Sequence, residues 1–123
     1  MEKERRKMIL NRFQKLKCVG SGTYGDVYKV IDREKGNEIV ALKKLRFNVQ
    51  EGLSSYTLRE MSVYKELDHP NIINLKEIII KQEIYLIFEY MKQDLKNLID
   101  SLKSNEVLKP IIIKVNYFFK YLI

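Results

Sequence analysis

The chain has 123 residues, of which 46% are hydrophobic and 32% charged, with a formal net charge of +7 at pH 7. That length suits one domain, and the composition excludes an intrinsically disordered chain. No apolar run approaches the roughly 20 residues that span a bilayer, and the charged start Met1-Glu2-Lys3-Glu4-Arg5-Arg6-Lys7 has no signal-peptide core. A single cysteine, Cys18, can form no internal disulfide. The expected location is therefore cytoplasmic or nuclear, with no membrane partner. Lys3, Arg5, Arg6, Lys7, Arg12, Lys15 and Lys17 against Glu2 and Glu4 put +5 of the +7 in the first 17 residues. A charge gathered in a leading arm reads as solvated, and Phe13 is the only aromatic residue there to stack on a base, so nucleic acid is not an expected partner.

In chain order, Phe13 to Gly20 and Asp26 to Ile31 are short β-prone runs on either side of a glycine-rich turn. Asp32 to Glu38, with Gly36-Asn37 inside it, reads as a second turn and Ile39 to Leu45 as a third strand. Ser54 to Leu67 has helical spacing and a hydroxyl-rich start suited to capping, and His69-Pro70-Asn71 breaks it. Leu75 to Ile80 and Ile84 to Glu89 are two further strands. Leu95 to Leu102 and Pro110 to Ile123 read as helices, with Pro110 at a first helical position. The order suggests an antiparallel sheet carrying one helix, followed by the start of a helical part. In Pro110 to Ile123, ten of fourteen residues are Ile, Val, Leu, Phe or Tyr, all round the helix. A helix apolar on every side belongs inside a larger core, so the chain is expected to be the front part of a longer domain.

The first turn reads Gly20-Ser21-Gly22-Thr23-Tyr24-Gly25-Asp26-Val27. Glycines let a backbone approach phosphates and point N–H groups at them. G-x-G-x-x-G alone also fits an ordinary hairpin. A dinucleotide-binding version would open a helix, whereas a strand on both sides favours the phosphate loop of kinases. Further on, alternation puts Ile39, Ala41, Lys43 and Leu45 on one strand face. A lysine in an apolar face is costly unless paired. Glu60 shares a helical stripe with Tyr64 and Leu67, so a carboxylate also faces inward. The economical expectation is that Lys43 and Glu60 meet and leave the ammonium to hold nucleotide phosphates.

With these residues in place, the chain resembles the protein kinases, and among them the cyclin-dependent kinases, over residues 12 to 123. The landmarks are the glycine turn with Val27-Tyr28-Lys29 after it, Val40-Ala41-Leu42-Lys43-Lys44, His69-Pro70-Asn71-Ile72-Ile73 and Leu86-Ile87-Phe88-Glu89-Tyr90-Met91. Glu51-Gly52-Leu53-Ser54-Ser55-Tyr56-Thr57-Leu58-Arg59-Glu60 is similar to that family's activator-binding helix, and Gln93-Asp94-Leu95-Lys96 to the stretch after its hinge. The resemblance implies an α+β fold: a kinase small lobe with a five-stranded antiparallel sheet and one helix (12–90), preceded by the basic arm (1–11). The hinge and first two helices of an incomplete large lobe (91–123) would follow. It also implies an ATP site formed by Val19, Gly20, Ser21, Gly22, Thr23, Tyr24, Gly25, Val27, Ala41, Lys43, Phe88, Glu89, Met91 and Asp94. Val19, Val27 and Ala41 would flank the adenine, Phe88 would be the gatekeeper, backbone groups of Glu89 and Met91 would bond the base, and Asp94 would lie near the ribose. Lys43 and Glu60 would be the catalytic pair, Thr23 and Tyr24 inhibitory phosphorylation sites, and Leu58 and Arg59 contacts to a cyclin-like activator. Ser54 stands where the family has proline, and Tyr56-Thr57 replace a small Thr-Ala pair, so the activator is expected to be atypical.

A kinase also needs an Asp in an H-R-D loop, an Asn five residues on, and the Asp of D-F-G for magnesium. His69 is the one histidine, it sits in a turn, and D-F-G does not occur in the 123 residues. Asp94-Leu95-Lys96-Asn97 lacks the His-Arg and has Ile99 where the Asn should stand. The sequence therefore predicts a serine/threonine kinase fragment, inactive alone, with ATP as nucleotide and a protein as substrate. Mg2+ is expected only for the intact enzyme, with no metal ligands here. The competing reading is a non-catalytic small-lobe module that binds an activator or nucleotide.

Overall fold

The computed structural model describes residues 9, 11–22, 25–46, 52–70, 72–81, 83–92 and 100–101. Its elements are β1 (Phe13–Gly22), β2 (Gly25–Asp32), a 3-10 turn (Arg33–Lys35), β3 (Glu38–Leu45), α1 (Ser55–Glu66), β4 (Leu75–Ile80) and β5 (Ile84–Glu89). The strands form one five-stranded sheet in the order β1-β2-β3-β5-β4, antiparallel at every pairing. This is the sheet-plus-one-helix arrangement that the sequence predicts. The two helices expected in 95–102 and 110–123 lie outside the described residues, apart from a helical Asp100 and Ser101.

Local chemistry explains the boundaries. The β1–β2 ladder runs through Ser21↔Asp26 to a closing pair, Gly22↔Gly25, so both strands reach further into the turn than alternation alone indicates. Between β2 and β3, Asp32 accepts the Glu34 N–H at 3.1 Å. The chain then passes through left-handed Gly36 and Asn37 at φ 65° and 59°, residue types for which that conformation is least costly. Helix α1 starts where Ser54 Oγ accepts the Thr57 N–H at 3.1 Å and closes with Leu67 N–H donating to Val63 O at 3.1 Å. Pro70 stands just past that end and cannot continue it.

The central strands are apolar on both sides. Val40, Ala41 and Leu42 of β3 are consecutively buried, as are all residues from Ile84 to Phe88 of β5, the pattern of strands covered on two faces. On the inner face Val27, Ala41, Leu45, Leu86 and Phe88 pack with Met61 and Tyr64 of α1 and with Ile73. On the outer face Phe13, Val30, Val40, Leu42, Tyr85 and Ile87 form a second cluster, against which Ile9 packs. Burying each Val, Leu, Ile, Phe or Met side chain among them contributes about 1.5–3 kcal/mol.

Arg12 corrects an expectation. Counted in the sequence among the solvated cations of the leading stretch, its side chain is only 13% exposed. Its guanidinium donates to Asp32 at 2.8 and 3.0 Å and to Glu77 at 2.6 and 3.0 Å, and lies 4.6 Å from the centre of the Phe13 ring. A fork of five N–H donors suits two carboxylates at once, and here it links β2 to β4.

Candidate functional site

The inner face of the sheet brings Val27, Ala41, Lys43 and Phe88, all singled out in the sequence, into adjacent rows. Val27 pairs in register with Lys43, and Lys43 in turn with Leu86, as Ala41 does with Phe88. Side chains therefore line up across strands: Val27, Lys43 and Leu86 in one row, Ala41 and Phe88 in the next. The Phe88 ring meets Tyr64 edge-on, with 5.3 Å between centroids and an 82° interplanar angle, a favourable aromatic geometry.

Lys43 sits within this apolar face at 7% exposure. Among the described residues it has no ion-pair partner. No fully buried side-chain nitrogen or oxygen there lacks a hydrogen bond, so the Lys43 ammonium keeps some contact with solvent, as a lysine with a buried stem does.

The expected meeting of Lys43 with Glu60 does not occur in this structure. The Glu60 carboxylate instead accepts from the Tyr64 hydroxyl at 2.9 Å. Burial first, and then that bond, push the Tyr64 phenol above its ordinary range, so it remains protonated and able to donate. The physical reason is local: Glu60 and Tyr64 are one helical turn apart on the same stripe, and residues at i and i+4 are neighbours. The same stripe could have revealed this pair in the sequence.

The glycines of the turn divide into two kinds. A side chain on Gly25, at φ 146°, would place its Cβ 2.0 Å from the Lys44 carbonyl oxygen. Nothing lies within 4 Å of a Cβ built on Gly20 or Gly22. The third glycine is thus required by close approach to β3, while the first two leave open space on β1. Around them Ser21 donates to Asp26 at 2.5 Å, and Arg46 donates to the same Asp26 oxygen at 2.7 Å. Ser21 first and Arg46 second hold the Asp26 carboxyl below its usual range. Neither Asp26 nor Arg46 was a candidate in the sequence, because a charge pair twenty residues apart leaves no periodic signal.

The rim is built by β5 and the residues after it. Glu89 N–H donates to Asn74 O at 3.0 Å, and its carboxylate accepts the Asn74 N–H at 2.8 Å. Its amide is thus committed, and its carbonyl is the backbone group it can offer to a ligand. Met91 and Val19 are exposed, Val19 at a register irregularity of β1. Tyr90 packs against the inner cluster, with the Lys29 ammonium 4.8 Å from its ring centre. On α1, Leu58 and Arg59 are exposed, with Arg59 on the side opposite buried Met61 and Tyr64. Thr23, Tyr24 and Asp94 lie outside the described residues.

The protein kinase domain family matches residues 13–122. The chain belongs to that family. Kinase domains use ATP, usually with Mg2+, and the inner face suits the nucleotide. It pairs an apolar floor with an ammonium that has no carboxylate partner among the described residues and two glycines with open space before them. For the metal it is different. Among the described residues no group of three or more His, Cys, Asp or Glu side chains is arranged to hold a metal ion, so they offer no ligand set for Mg2+. Nor, among them, is any helix long and apolar enough to cross a membrane.

Proposed function

We propose that this kinase domain is of the cyclin-dependent type and acts, together with H-R-D and D-F-G loops that the 123 residues do not contain, in transferring the γ-phosphate of ATP to a Ser or Thr hydroxyl. Within the chain itself the proposed activity is nucleotide binding, with no transfer by these residues alone. The observation that carries the reading is Lys43, a lysine at 7% exposure in an apolar face with no ion-pair partner among the described residues. An ammonium kept in that setting is costly without an anion, and a polyphosphate is the anion the neighbouring glycine turn suits. Val19, Val27, Ala41 and Phe88 would then enclose the base, Glu89 and Met91 would bond it through their backbones, and Asp94 would meet the ribose. Gly20, Ser21, Gly22 and Gly25 would approach the phosphates, and Thr23 and Tyr24 would be the sites at which phosphorylation opposes them by like charge.

Glu60 enters this scheme by exchanging Tyr64 for Lys43, which requires α1 or the Glu60 side chain to shift. A cyclin-like activator is the proposed cause, docking on the exposed side of α1 at Leu58 and Arg59. Exposed Tyr56 and Val63 supply further apolar surface on the same helix. Cytoplasmic or nuclear residence belongs to the same proposal.

The test is Lys43→Met, followed by titration with a fluorescent ATP analogue. A charge-assisted hydrogen bond is worth roughly 1.5–3 kcal/mol, so affinity should fall about 10- to 100-fold. The melting temperature should hold or rise, because the substitution replaces a costly ammonium with an apolar group of similar length. Unchanged affinity would remove Lys43 from the site and with it the central support for this function.

A further inference from the structure

We propose that Asp26 and Arg46, with Ser21, form a latch that fixes the end of the β1–β2 hairpin over the nucleotide site, so that both charged residues are positioning residues for nucleotide binding. This rests on the nucleotide reading above. The two sides of the hairpin are anchored differently. On β2, Gly25 packs directly on the Lys44 carbonyl, where an added Cβ would lie 2.0 Å away. On β1, Gly20 and Gly22 have nothing comparable within 4 Å. The polar side-chain tie from this end of β1 to the rest of the sheet is the chain Ser21–Asp26–Arg46. Ser21 donates to Asp26 at 2.5 Å, and Arg46 donates to Asp26 at 2.7 Å and reaches Ser21 Oγ at 3.4 Å.

The placement of these groups determines what the tie can do. Asp26 pairs in register with Lys44, and Val27 with Lys43. Successive strand residues point to opposite faces, so Val27 and Lys43 face the site while Asp26, its partner Ser21 and Lys44 face away from it. The latch therefore holds the hairpin from behind, and the backbone of Gly20 to Gly22 stays clear on the ligand side. Arg46 follows directly after β3, three residues beyond Lys43. The same link thus fixes the hairpin relative to the strand that carries the ammonium. A phosphate must meet loop N–H groups and the ammonium together, so a loose hairpin would weaken binding even with every contacting group intact. The Ser21 hydrogen bond first, then Arg46, with Lys44 a more distant cation, keep Asp26 ionised.

A simpler account treats Asp26 and Arg46 only as charges near a polyphosphate, and the two accounts predict opposite signs. If charge alone matters, Asp26→Asn removes a repulsion and tightens nucleotide binding, Arg46→Ala weakens it, and the effects add. If the latch matters, both substitutions weaken binding of a fluorescent ATP analogue by about 3- to 10-fold, and the double variant is no weaker than either alone, the sign of a shared interaction. Arg46→Lys should recover part of the loss. Because the pair is exposed, global stability should change little, which separates positioning from unfolding.

A ligand-free measurement accompanies the titration: amide hydrogen exchange of residues 20–22 and 25–27 in the full chain. Exchange at 20–22 should accelerate in Asp26→Asn and Arg46→Ala alike, while 25–27, held by the Gly25 contact, should change less. Tighter binding by Asp26→Asn, or equal exchange in all three proteins, would overturn the latch. If the wild-type chain binds no nucleotide, the nucleotide reading fails, and the exchange comparison still decides whether the latch exists.

Discussion

Gly25 and Gly20 belong to one motif, yet the structure asks different things of them. Gly25 combines φ 146° with a carbonyl 2.0 Å from any added Cβ, so Gly25→Ala must distort β3 or open the turn. The expected loss is about 1–3 kcal/mol, the range for strain at a special backbone conformation. Gly20→Ala, with nothing within 4 Å, should stay within about 0.5 kcal/mol of the parent while still impeding a ligand that needs close backbone approach. Thermal unfolding of both variants separates the roles, and equal destabilisation would mean that the open space at Gly20 is closed in solution. The same contrast holds at Glu60. Sequence reasoning brought it inward correctly, but its partner is Tyr64 at 2.9 Å and not Lys43. A one-turn neighbour is always within reach, whereas a partner on another element depends on how far the helix sits from the sheet.

At the level of elements, what the sequence reveals follows from periodicity. The five strands were legible as short β-prone runs bounded by turn residues, and α1 as a helical stripe that records which side is buried. The glycine turn and the Asp32–Glu38 turn were legible from their residue types. The apolar outer face was not anticipated as a second cluster, since Val40-Ala41-Leu42 states that a strand is covered twice without saying by what. Ser54 illustrates how a departure from the family pattern can be physically mild. Its φ of −63° and ψ of 147° lie within proline's range, and its hydroxyl caps Thr57 N–H at 3.1 Å. Ser54→Ala should therefore cost about 1 kcal/mol through the lost cap. Ser54→Pro loses the same cap but restricts the unfolded chain, which returns about 0.4–1 kcal/mol, and should fall near the parent. Denaturant midpoints test the pair, and a Ser54→Pro variant less stable than Ser54→Ala would show that the helix start has to bend.

Across the whole molecule, the helix side and the opposite side of the sheet are held by different means. The inner face is closed by α1 through apolar packing, whereas the outer face carries its own apolar cluster and several ion pairs, with Arg12 at the most buried of those among the described residues. Arg12 stands just before the matched kinase residues and grips Asp32 of β2 and Glu77 of β4. Asp32 is 2% exposed, and Arg12, foremost by hydrogen bonding, lowers its pKa and that of Glu77. A carboxylate whose folded pKa is depressed contributes stability that is fully present above its unfolded value and is lost as pH falls through the folded one. The unfolded values are about 3.9 for Asp and 4.3 for Glu, so the chain should hold its stability from pH 7 down to about 4.5 and lose it progressively below. Arg12→Ala leaves Asp32 nearly buried without its cation. Breaking such a pair costs about 3–5 kcal/mol in a full interior, and roughly 2 kcal/mol is expected here because Glu77 and Glu34 remain partly in water. The decisive feature is the pH profile. In Arg12→Ala the two carboxyls lose what depresses their pKa values, so the variant should be less stable at pH 7 yet decline less steeply below pH 4.5. Unfolding free energies measured from pH 2.5 to 7 test this, and parallel curves for the two proteins would mean that the clasp contributes packing on Phe13 and not charge.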